Sequence, residues 1–155
     1  MFKGATQLYE VYFDYSSFPV LTGKASDGSS TVVDMFTGCT DALNHVSMTH
    51  CDFPKLTQTE KMFNGSVGPY DFDMSYSSTP ELNLTRNMFL NCTNLNVCTF
   101  GAYGNPSSFP SFAKVTNASY MFSGCKNLSG VELYGTDWSA CTTFAYMFQN
   151  CSNLD

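Results

Sequence analysis

A five-residue pattern, Met-Phe-x-Gly/Asn-small, returns six times along the 155-residue chain, and no other feature narrows the possible folds as much. The copies begin at Met1, Met35, Met62, Met88, Met121 and Met147, and the fifth of them reads Met-Phe-Ser-Gly-Cys. Successive methionines lie 34, 27, 26, 33 and 26 residues apart, so the unit is 26 residues with occasional insertions. Self-similarity at such a period marks an array of supersecondary units, each burying its apolar face against its neighbours. The expectation is a single repeat array over residues 1–155, a segment of a longer protein, in which burial accumulates unit by unit.

With each Met as position 0, positions 7, 10 and 12 read Leu8, Val11, Phe13 and, after a one-residue slip, Leu43, Val46, Met48. The next units give Pro69, Phe72, Met74, then Leu95, Cys98, Phe100, then Leu128, Val131, Leu133. Alternation at 10 and 12 is the period of a half-buried strand, so each unit contributes one short strand. The Met-Phe end predicts a helix of about two turns, because positions 0, 1 and 4 share one helical face. Gly or Asn at position 3 suits a left-handed C-terminal cap, and Ser30, Thr57, Asn83, Thr116 and Thr142 stand five residues ahead of Met as N-caps. Thr57 with Glu60 reads as a capping box. Between strand and helix the chain turns at Asp52-Phe53-Pro54, Thr79-Pro80 and Asp137-Trp138, where Phe53 and Trp138 are expected to plug the corner. The predicted fold class is α/β: a solenoid of about six coils, each with one short parallel strand and one short helix.

Residues 115–128, Val-Thr-Asn-Ala-Ser-Tyr-Met-Phe-Ser-Gly-Cys-Lys-Asn-Leu, resemble almost residue for residue a bacterial surface leucine-rich repeat family. That family is typified by BspA, in the version built on Met-Phe-x-x-Cys-x-x-Leu-x-x-Leu-x-Leu, and residues 147–155 resemble it again. The resemblance implies a leucine-rich-repeat solenoid on a secreted or surface-anchored protein of a host-associated microbe, used in adhesion or protein binding. It carries over no catalytic residues. Ala5 and Ser66 stand where Cys is usual, Pro69 breaks the third unit, and long insertions run from Tyr15 to Gly28 and from Ala102 to Pro110. These departures point to a specialised binder, including one on a phage particle, with the insertions as edge loops at a binding face.

Seven Lys and Arg against thirteen Asp and Glu give a net charge of -6, which argues against a phosphate-backbone partner. No apolar run approaches the ~20 residues that span a bilayer. Among seven cysteines, Cys39, Cys92, Cys125 and Cys151 occupy position 4, Cys98 occupies position 10, and Cys141 falls where other units carry Leu or Val. Buried thiols are the favoured reading, with a cross-repeat disulfide or a metal as alternatives, and Cys51 has no evident place. His45 points outward towards Asp71 of the next unit, but no motif sets a nucleophile beside it, so a surface histidine rather than an enzyme is expected.

The outward strand positions 9, 11 and 13 read Glu10, Tyr12, Asp14; His45, Ser47, Thr49; Asp71, Asp73, Ser75; Val97, Thr99, Gly101; and Gly130, Glu132, Tyr134. Five of the thirteen acids fall among these positions, which makes the face acidic with tyrosines interleaved. Glu10, Tyr12, Asp14, His45, Asp71, Asp73, Thr99, Glu132 and Tyr134 are therefore the candidate ligand-binding residues. They could grip a basic protein patch, a sugar, or a calcium ion held by Asp71 and Asp73. Equally, the acids could only keep an exposed sheet soluble and apart from other sheets. The resulting expectation is a non-catalytic adhesion module, without cofactor or metal, that recognises a protein or glycan on a host or neighbouring surface. It would be extracellular, on the cell surface or on a virion, with no nucleic-acid partner and no direct membrane insertion. The alternative is a structural or decoration module of a larger assembly, such as a phage particle or bacterial surface layer, with neighbouring chains as partners.

Overall fold

Position 10 is apolar in every unit because it points into the interior, and the residues on either side of it form the strands: β1 Glu10–Tyr12, β2 His45–Ser47, β3 Asp71–Asp73, β4 Val97–Thr99 and β5 Gly130–Glu132. In the computed structural model, which describes residues 2–23, 32, 35–39, 43–64, 66–101 and 110–155, these make one parallel sheet in the order β1-β2-β3-β4-β5. The register is constant. Val11, Val46, Phe72, Cys98 and Val131 stand side by side, so the position-10 line runs straight through the sheet. Pro69 does not break the third unit: it is buried at the leucine place, and β3 keeps register with both neighbours.

The expected helix is absent: the described residues contain no helix, and the fold is mainly β. Backbone handedness explains why. The residue just before Met is left-handed at Lys61, Asn87, Tyr120 and Tyr146, with φ of 56°, 57°, 56° and 57°. Position 3 is left-handed as well, at Gly4, Gly38, Asn91, Gly124 and Asn150. A right-handed helix cannot run through either point, so the segments at Met88, Met121 and Met147 are each held between two tight turns. Met62, Met88 and Met121 donate their N–H to the carbonyl three residues back, and Cys92 and Cys125 do the same to Phe89 and Phe122.

Backbone groups that a helix would have used internally reach to the next unit instead. The Phe N–H donates across to a Met carbonyl from Phe2 to Met35, Phe36 to Met62, Phe63 to Met88, Phe89 to Met121 and Phe122 to Met147, at 2.8–3.1 Å. The proposed N-caps form a further ladder: Thr57, Asn83, Thr116 and Thr142 donate their N–H to the carbonyls of Thr22, Thr57, Asn83 and Thr116. Ser30 lies outside the described residues. Glu60 pairs with Arg86 at 2.9 Å and lies 3.7 Å from Lys61, in place of the expected capping box. Isolated bridges link Ser17, Asp52 and Ser78 at one corner, and Gln58, Leu84, Asn117 and Thr143 at another.

Inside, the position-1 rings stack in one unbroken column. Phe2, Phe36, Phe63, Phe89, Phe122 and Phe148 follow one another at 4.5–5.4 Å, at 22° for the first pair and within 11° of parallel thereafter. Offset stacking of this kind adds to the burial of the rings. Phe53 stacks on Phe18 at 4.9 Å and Trp138 on Phe112 at 4.4 Å, so both fill the corner as expected.

The thiols are all free, and Cys39, Cys51, Cys92, Cys98 and Cys125 are buried. Position-4 thiols donate to the Phe carbonyl of the preceding unit: Cys39 to Phe2, Cys92 to Phe63, Cys125 to Phe89 and Cys151 to Phe122, at 3.1–3.3 Å. Cys51 follows the same rule three residues after Met48, donating to the Phe13 carbonyl at 3.0 Å, and Ser77 repeats the contact to Met48 one unit on. Burial raises the Cys39, Cys51 and Cys151 thiols above their ordinary value.

Candidate binding face

Because side chains alternate across a strand, positions 9 and 11 project together from the face opposite the core. Two columns result: Glu10, His45, Asp71, Val97, Gly130, and Tyr12, Ser47, Asp73, Thr99, Glu132. Asp14 and Tyr134 stand two residues beyond the ends of β1 and β5, continuing the alternation of the other seven residues singled out from the sequence.

Their contacts differ from a row of waiting acids. Asp14 accepts hydrogen bonds from the Ser47 hydroxyl, the Thr49 N–H at 2.9 Å and the Thr49 hydroxyl at 3.1 Å. Burial pushes its pKa up, but those hydrogen bonds outweigh it and hold the carboxyl below its ordinary value. Ser47 is buried beneath this contact, and Ser75, buried as well, donates its N–H to Asp73 at 2.8 Å. Asp71 is hydrogen-bonded to Nδ1 of His45, and the Tyr12 ring lies 5.2 Å from the His45 ring. Partial desolvation, a hydrogen bond to Glu10 and the charges of Glu10, Asp71 and Asp14 raise the Tyr12 phenol above its ordinary value.

Two of the five acids, Asp14 and Asp71, thus tie neighbouring strands together, while Asp73 closes a turn within its own unit. Asp71 and Asp73 do not converge with a third ligand: among the described residues no group of three His, Cys, Asp or Glu could hold a metal ion. The Ser47 hydroxyl beside His45 is committed to Asp14. Towards β4 and β5 the face turns neutral at Val97, Thr99 and Gly130, with Glu132 exposed at its end.

An aromatic column escaped the sequence reading. Tyr15, His50 and Tyr76 stack at 4.5 and 4.8 Å, within 17° of parallel, along the edge of this face. All three are left-handed, with φ of 57°, 54° and 58°, which turns each ring out of the strand line and over its neighbour. The signal was available as aromatics at position 14 of three successive units, once the slip in the second is allowed for. Tyr15 is 78% exposed, and Tyr9, Tyr12 and Tyr70 are exposed nearby. The insertions proposed as edge loops fall largely outside the described residues, at 24–28 and 102–109.

A single five-stranded parallel sheet in constant register, carrying one open polar and aromatic face, defines a mainly β protein with one strand per repeat. Within that class, residues 30–155 match the model of the family described as "Mycoplasma protein of unknown function, DUF285", and the chain belongs to that family. No curated protein and no solved structure matches it.

Proposed function

We propose that the units form a solenoid of the leucine-rich-repeat type, related to the BspA-like surface arrays, and that the chain is a non-catalytic binding module. Its ligand is a protein or glycan on a host or neighbouring surface, met outside the cell or on a virion. The supporting observation is the Tyr15–His50–Tyr76 column, whose Tyr15 and His50 are exposed, together with exposed Tyr12 on the same face. Tyrosine at such density is a frequent source of binding energy at low entropic cost. The acids Glu10, Asp14, Asp71, Asp73 and Glu132 shape this face and bias it towards cationic or hydroxyl-rich partners.

The test is retention of labelled protein on arrays of matrix proteins and of glycans. Wild type is expected to be retained, and a Tyr12→Ala/Tyr15→Ala double variant to lose at least tenfold. No retention of folded wild type, or equal retention of the variant, would refute the reading.

A further inference from the structure

The corner column of rings is interrupted once. Phe18 stacks on Phe53 and Phe112 on Trp138, but the unit between them carries Thr79 at the same place. The inner line changes there too. Position 12 is Met48 in the second unit and Met74 in the third, whereas the fourth has Phe100, whose ring meets Phe112 edge-on at 5.2 Å. Where unbranched methionines and a threonine replace rings, the interior is incompletely filled. A cavity of about 80 Å³ lies there, walled by Met35, Met48, Met62, Met74 and Met88 with phenylalanine and leucine side chains around them. Thr59 is the one residue with a polar side chain in its described wall.

We propose that this cavity is a binding site for a small, uncharged, apolar molecule. Hydrocarbon and thioether walls offer water too few hydrogen bonds to hold it, and apolar cavities of this kind stay dry while admitting apolar guests. A void also forfeits dispersion contacts on every wall atom, and a guest restores them. Methionine is the side chain best suited to reshape around an irregular guest, because three unbranched torsions turn without disturbing the backbone. Size limits the class: a cavity of ~150 Å³ takes benzene or xenon. At about 80 Å³ this one selects something smaller than benzene, such as a short alkyl group or an apolar gas atom. The proposal concerns the interior of the stack and is independent of any ligand on the sheet face.

Xenon is the probe. In protein labelled with 13C at the methionine methyls, the signals of Met35, Met48, Met62, Met74 and Met88 are expected to shift and saturate as xenon pressure rises. Met121, fully buried and outside the cavity wall, serves as the internal control and is expected to stay in place. Met74→Phe supplies the second arm, since Phe100 shows that the fold accepts phenylalanine at position 12. This variant is expected to fold as wild type does and to lose the xenon response. Five unmoved methionines, a non-saturating drift common to all methionines, or a full response retained in folded Met74→Phe would each overturn the proposal.

Discussion

Replacing Phe122 by Ala tests the ring column directly. Phe122 is fully buried and lies 5.4 Å from both Phe89 and Phe148, at 3° and 0° from parallel. Fully buried Phe→Ala substitutions cost about 3–5 kcal/mol, and the stack on both sides puts this one towards the upper end. Phe148 holds the same position in the repeat but is 39% exposed, and Phe122 is its ring neighbour. Phe148→Ala is therefore expected to cost about 2 kcal/mol, from partial burial and one stacking partner. In urea, with a slope of about 2 kcal/mol/M, the midpoint falls by about 2 M for Phe122→Ala and about 1 M for Phe148→Ala. A loss below about 1 kcal/mol for Phe122→Ala, or equal losses at the two sites, would show that the column is not continuous core.

Two further expectations concern the strands and the thiols. A Cβ at Gly101 would run into the Tyr134 backbone, whereas one at Gly130 meets nothing, so Gly101→Ala should lose about 1–3 kcal/mol in urea denaturation and Gly130→Ala almost nothing. Similar midpoints for the two would refute the close packing of β4 against the turn after β5. Burial lifts the Cys92 and Cys98 thiols well above their ordinary value and Cys125 to about 12, each helped by neighbouring cysteines. In the unfolded chain a thiol ionises near pH ~8.5, so the stability held by these protonated thiols is complete below that pH and is lost as pH rises towards 12. Urea midpoints should decline through that window, and thiol reagents at pH 8 should reach Cys92, Cys98 and Cys125 only on unfolding; labelling of all three in the native protein would contradict their burial.

The strands were legible because alternation reports burial directly: Val11, Val46, Phe72, Cys98 and Val131 had to share one face, and the register followed. The helix misread has an equally physical origin. Gly or Asn at position 3 does adopt the left-handed conformation inferred for it, but Lys61, Tyr120 and Tyr146 give no comparable sign that the residue before Met is left-handed too. Two such reversals four residues apart leave no room for a helical turn. On the sheet face, the outward set could be read from period alone, while the capture of Asp14 by Ser47 and Thr49 depended on side-chain reach across strands. The Tyr15–His50–Tyr76 column required backbone handedness as well as period, so residue type alone hid it.

The ladders also determine how the molecule would answer tension. The units of β2 and β3 are joined round their circumference at the strand, at the Asp52–Ser78 and Gln58–Leu84 corner bridges and at the hydrogen bond from Phe63 to Met88. These seams bear load together, so no interior unit slips out while its neighbours hold it from both sides. A pull on the two ends would peel the outermost unit first and release the chain in discrete lengths. With ~3.4 Å of extended backbone per residue, a 26-residue unit gives up about 90 Å at each step.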